Sequence, residues 1–167
     1  MGMKAPPRWC IRLLLDEGWL KKDITSFRGR YDFLSNFYEA PITYDGLVFG
    51  SGEAAFQAQK CAVPEERLQF QTLRPAESKR TGRNVQLRPD WEQVKVRLME
   101  GIVRAKFTQN TDLTALLLAT GDRLIQEGNT WHDVFWGVDA RTGKGETHLG
   151  KILMKVREEL RRGNPES

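Results

Sequence analysis

The sequence predicts an α+β domain, mainly helical, with one small antiparallel hairpin, and three observations carry that prediction. The stretch ITYDGLVF sets two β-rich runs around Asp45-Gly46, a dipeptide suited to the left-handed backbone of a tight two-residue turn. Apolar residues recur at helical spacing over much of the remainder, most clearly between Pro89 and Phe107. A length of 167 residues, with 40% hydrophobic and 29% charged residues, suits one globular domain with a real core. That domain is expected to span residues 23–163, after an N-terminal helical arm or extension at 1–22 and before a disordered tail at 164–167.

Taken in order, RWCIRLLLDEGWL (8–20) has mixed helical periodicity and reads as the arm. ITSF (24–27) reads as a short strand, and FRGRYDFLSNFY (27–38) as an aromatic-rich loop ahead of the hairpin. Ser51 is the expected N-cap of the helix that follows, because its hydroxyl can satisfy an orphan backbone N–H of the first turn. At about 100° per residue, Glu53, Phe56, Gln57 and Lys60 fall on one stripe of that helix. Ala54, Ala55, Ala58, Cys61 and Ala62 fill the other side, small enough for close approach to a neighbour. Pro64 and Pro75 open two further helical segments from the first-turn position where a proline costs no hydrogen bond. The long helix carries Trp91, Val94, Leu98, Ile102 and Val103 on one face, with Lys106 near its end. Asn110 or Thr111 caps the helix through LTALLLAT, and Gly121 ends it. NTWHDVFWGVDARTGKGE (129–146) is too rich in Gly, Asp and Trp for regular structure and reads as a long functional loop. A last helix runs from about Thr147 to Arg162.

Several chemistries drop out. The two cysteines, Cys10 and Cys61, have no C-x-x-C or zinc-like spacing and read as free thiols of a reducing cytoplasm. No apolar run approaches the roughly 18 residues of a membrane span, so a cytoplasmic chain with no membrane partner is expected. G-K-G-E near Lys144 lacks phosphate-loop spacing, and no G-x-S-x-G elbow exists. His132 and His148 are the only histidines, which excludes a histidine-rich metal site, and no metal or cofactor is expected. The net charge of +4 mildly favours an anionic partner such as a nucleotide or nucleic acid. Chemistry must then rest on carboxylates, lysines and aromatics.

Three clusters of that kind stand out: the Glu53–Phe56–Gln57–Lys60 stripe, Phe33 and Phe37 around Ser35-Asn36, and HDVFWG, in which Asp133 precedes Trp136 by three positions. Each also has a structural account. Glu53 suits the positive end of a helix dipole, Trp91 and Trp136 suit a core, and Asp133 suits a turn cap.

Together with FLSNFY, FGSGEAAFQAQK, WEQVKVRLMEGIVRAKFTQN, LLLATGDRLIQE, HDVFWG with the following GKG, and LGKILMKVRE, these clusters occur in one order from about Phe27 to Arg162. In this the sequence resembles the NADAR superfamily, which includes the YbiA-type N-glycosidases. One departure is GETHLG, where the family has Asn before the final Leu-Gly; here Thr147 stands there, expected to keep a capping oxygen. The resemblance implies a compact, mainly helical α+β fold and cleavage of N-glycosidic bonds to ribose. Implied substrates are ribosylamino-pyrimidine phosphates of riboflavin biosynthesis, or ADP-ribose on guanine of a nucleotide or nucleic acid. The implied enzyme is a monomer acting on a small nucleotide-like molecule. On this reading Glu53 serves the sugar side, Asp133 is the second carboxylate, and Lys60 supplies an amine for an imine route. Trp91 and Trp136 are candidates to stack on the base, and Phe33 to wall the ribose. Asn36, Phe56, Gln57 and Gly137 are further candidate substrate-binding residues. Arg28, Arg30, Arg83 and Lys95 are the candidate phosphate ligands. A module that binds ADP-ribose or another nucleotide without turnover, and an interaction domain built on the Trp9–Trp19 arm, are the other two classes.

Overall fold

A computed structural model describes residues 22–163. The expected arm (1–22, all but its last residue) and tail (164–167) lie outside the described residues. The hairpin forms as expected. β1 (Glu39–Tyr44) and β2 (Leu47–Ser51) pair antiparallel, with Tyr44 opposite Leu47, and Asp45 and Gly46 both take positive φ (50° and 78°) to make the turn. α1 (Gly52–Gln59) begins where Ser51 predicts, the Ser51 hydroxyl accepting the Ala54 N–H at 3.1 Å.

Pro64–Gln71 forms a 3₁₀ helix and Pro75–Gly82 forms α2, each with its proline in the first turn. α3 (Trp91–Gln109) is the longest element, and α4 (Thr111–Ala119) follows it directly. The Asn110 side chain does not cap α4. It reaches back to the carbonyls of Pro41 and Lys106, joining hairpin to helix. α5 (His148–Arg162) packs along α3 and α4, and Arg104 of α3 pairs with Glu159 of α5 at 2.8 Å. The core lies between the hairpin and the helices, with Phe49, Phe70, Ile102, Phe107, Leu117 and Leu153 fully buried. Among the described residues no helix is long and apolar enough to cross a membrane.

Three further expectations need correction. ITSF is not a full strand: only Ile24 bridges, in parallel with Ile125, through Ile24 N–H to Leu124 O (2.7 Å) and Gln126 N–H to Ile24 O (2.8 Å). The segment 29–34 is a 3₁₀ helix rather than an open loop. Its end is held from α3, where the buried Lys106 Nζ donates to the carbonyls of Phe33 (2.6 Å) and Ser35 (2.9 Å). Thr147 does not cap α5 with its side chain. It sits in the left-handed region (φ 49°, ψ 41°), with its hydroxyl buried and unpartnered. A β-branched residue is strained there, whereas Asn tolerates that conformation. Thr147→Asn is therefore expected to raise the melting temperature by about 2–4 °C if about 1 kcal/mol of strain is relieved, as read by thermal denaturation followed by circular dichroism. An unchanged or lower midpoint would show that the backbone there is not strained.

Candidate active site

The stripe on α1 has no solvated face. The whole helix is buried, with Glu53 only 7% exposed and Phe56 and Gln57 5% each. An isolated carboxylate there would be costly, and Glu53 is held by Gln57, whose Nε2 donates to Glu53 Oε1 at 2.8 Å. Burial pushes the Glu53 carboxyl above its ordinary pKa, against that hydrogen bond and the charges of Lys79 and Lys60. Gln57 is itself hemmed in by α2: a Cβ added to Gly82 would lie 1.9 Å from Gln57 Oε1. The Glu53–Gln57 pair thus depends on a glycine in the neighbouring helix. The Glu53 N–H donates to Asn36 O at 2.9 Å, tying the start of α1 to the loop that Lys106 holds.

Glu53 opens into a cavity of about 390 Å³. Its lining brings together Asn36 and Phe37 from the loop before β1, Lys79 from α2, Glu127 just ahead of the long loop, and Trp131, Asp133 and Trp136 within it. Ser26, Phe27 and Arg28 complete one wall, placed there by the pairing of residues 24–25 with 124–128. The long loop is less irregular than its composition suggests. β3 (Gly128–Asn129) and β4 (Val138–Asp139) pair in parallel. The buried Asn129 side chain brackets Asp133, donating to its carbonyl (2.8 Å) and accepting its N–H (3.0 Å). Asp133 Oδ1 in turn accepts the N–H groups of Phe135 (3.2 Å) and Trp136 (2.9 Å). Asp133 thus both caps a turn and lines the cavity.

The other sequence-predicted residues divide clearly. Trp136 lines the cavity and meets Phe56 edge-on, with centroids 5.4 Å apart, while Trp91 packs on Phe56 at 5.0 Å and does not reach the lining. Phe33 is core, set against Phe107 at 6.4 Å, and does not wall the cavity; Phe37, 42% exposed, does. Gly137 serves the backbone, since a Cβ there would lie 2.3 Å from Glu127 O. Of the candidate phosphate ligands only Arg28 is on the lining. Arg30 bonds Tyr31 Oη at 3.1 Å, and Lys95 pairs with Glu92 at 2.7 Å and lies over the Phe135 ring at 4.0 Å. Arg83 is exposed, away from the lining. Lys60 is half-buried, its Nζ 5.8 Å from the Trp91 ring centre, and it is not on the lining either. Burial lowers its pKa, opposed by Glu53 and reinforced by Lys79 and Arg83.

Sequence reasoning missed Glu127, Lys79 and Trp131. Glu127 lies within the recognised run LLLATGDRLIQE, and its signal was a lone carboxylate two positions after the apolar Leu124-Ile125 and directly before Gly128. Lys79 and Trp131 carry no local pattern that separates them from ordinary surface residues.

The NADAR domain family model matches residues 25–161. Among curated proteins, a riboflavin biosynthesis protein of Vibrio vulnificus (strain YJ016) is 44% identical over 140 residues, covering 81% of this chain. This chain spans only 37% of that protein's length. The N-glycosidase YbiA of Escherichia coli (strain K12) is 41% identical over 133 residues, 78% of this chain and 82% of that protein. The NMR structure of E. coli YbiA superposes with a TM-score of 0.76 at 37% identity, covering 87% of this chain and 89% of that one. With its helix-rich α+β architecture and this match across most of its length, the chain belongs to the NADAR domain family.

Proposed function

We propose that the chain is an N-glycosidase, a hydrolase of the bond between C1′ of a ribose and a base nitrogen. The observation that carries this reading is that Glu53, steadied by Gln57, shares one cavity with Asp133, Lys79 and the rings of Phe37, Trp131 and Trp136. Its volume falls within the range of about 300–1,000 Å³ usual for small-molecule sites. Breaking C1′–N develops positive charge on the sugar and negative charge on the base. A carboxylate beside C1′ offsets the first or takes a proton from the attacking water, and flat rings hold the base. In this proposal Glu53 faces the sugar, Asp133 fixes the loop and adds negative charge, Trp136 stacks on the base, and Arg28 meets phosphate. The relatives named N-glycosidase and riboflavin biosynthesis protein support the same reading.

The test is incubation with a ribosylamino-pyrimidine phosphate and, separately, with ADP-ribosylated guanosine, followed by mass spectrometry. Release of free base and ribosyl product from either substrate is the expected result, and which one reacts assigns the substrate class. Binding of either compound without product would instead mark a non-catalytic nucleotide-binding module.

Trp136→Ala is expected to raise KM with a smaller change in kcat, corresponding to about 1–3 kcal/mol of lost stacking. Because Trp136 also packs on Phe56 and Phe135, melting is measured alongside. A large drop in melting temperature with unchanged affinity in the folded fraction would reduce it to a core residue.

A further inference from the structure

Three carboxylates line one cavity, and their surroundings set them apart. Asp133 accepts two backbone N–H groups and Glu53 accepts the Gln57 amide. The carboxyl of Glu127 has no hydrogen-bond partner among the described residues. Its backbone, by contrast, is pinned on both sides. Glu127 O accepts the Val138 N–H at 2.9 Å, and the adjacent Gln126 and Gly128 N–H groups donate to Ile24 O and Thr25 O at 2.8 and 2.9 Å. Gly137, which has no Cβ, permits the close approach of that carbonyl. A fixed backbone therefore presents an uncommitted carboxyl to the cavity.

We propose that Glu127 is a further catalytic residue, the general acid that protonates the base nitrogen as the C1′–N bond breaks. This rests on the N-glycosidase reading above. The electron pair of the C1′–N bond leaves with the base, which takes the Glu127 proton. A water oxygen bonds to C1′ and gives one proton to Glu53. Glu53 then releases that proton to solvent, and Glu127 regains one from solvent, so that base–ribose and water become protonated base and free ribosyl hydroxyl.

The charged groups facing Glu127 favour its protonated form. Burial comes first, and the negative charges of Asp133 and Glu53 add to it, with Lys79 opposing; together they raise its pKa to about 7. Arg28 is the other charged residue on the lining, and it is exposed. An acid of this pKa holds its proton below neutrality and loses it as pH rises through 7, so the rate should fall on that side.

The experiment is the pH profile of kcat/KM for the wild type, Glu127→Gln and Glu127→Asp, on whichever of the two substrates the wild type cleaves. The wild type is expected to lose activity as pH rises above about 7. Glu127→Gln should be slower by about 100-fold at pH 6, the usual loss for a positioned acid, with no remaining decline above neutrality. Glu127→Asp should recover part of the rate together with the decline. A Gln variant as fast as wild type, or one slowed with the decline intact, would overturn the assignment. So would a wild-type profile with no decline near neutrality, a result that needs no variant to fold. Failure of the wild type to cleave either substrate would instead count against the N-glycosidase reading itself.

Discussion

Glu53→Gln is expected to fold normally and to lose about 100-fold or more in turnover, the loss typical of a positioned acid–base group. The change keeps side-chain volume and removes only the ability to carry negative charge or take a proton. Its nearest partner is compatible with an amide, since the Gln57 Nε2 can still donate to the new Oε1. Glu53 is held above its ordinary pKa chiefly by burial, so replacing it with a neutral group also removes a cost of burying charge. A melting temperature equal to or above wild type, with turnover largely abolished, is therefore the expected pair of results. Full activity in a correctly folded Gln variant would remove Glu53 from the mechanism.

Lys60→Arg is expected to abolish turnover by the imine route. In that route the ribose ring opens with a proton to O4′, and an amine attacks C1′. The base then leaves with its nitrogen protonated, and water hydrolyses the resulting imine. Arg keeps the charge but lacks a nucleophilic amine. Burial already lowers the Lys60 pKa, which raises the share of neutral amine. If an amine attacks C1′ in place of the water assigned above, cyanoborohydride added during turnover will inactivate the wild type and leave the ribosyl mass on a lysine peptide; the carboxylate route leaves the enzyme active and unlabelled. Because Lys79, not Lys60, is on the cavity lining, peptide mapping decides between them. A label on Lys79 would transfer the role to it. A Lys60→Arg variant turning over at the wild-type rate without label would leave the carboxylate route alone.

What could be read in advance follows the range of the forces involved. The Asp45-Gly46 turn, the Ser51 cap and the proline-led starts at Pro64 and Pro75 are local, set by the backbone preferences of a few neighbouring residues. Lys106 could not be read this way. Its position near the end of α3 suggests a solvated lysine favoured by the helix dipole, yet it is 1% exposed, and burial brings its pKa down to about 7. Its carbonyl partners lie more than 70 positions earlier in the chain. Phe33 and Phe37 are both aromatic and only four positions apart, and nothing local tells which is core and which is cavity wall.

The sequence by itself determined the family, the α+β class, the hairpin and the helix that carries Glu53, because short-range signals and the order of motifs suffice for these. Only the tertiary structure decided which charged groups meet. Glu127 reaches the cavity because residues 24–25 pair with 124–128 and because Gly137 lets β4 lie against it. Lys79 reaches it because α2 packs on α1 at Gly82. Lys60 stays off the lining, its ammonium over Trp91. These placements depend on packing between segments far apart in the chain, which no short-range signal in the sequence specifies.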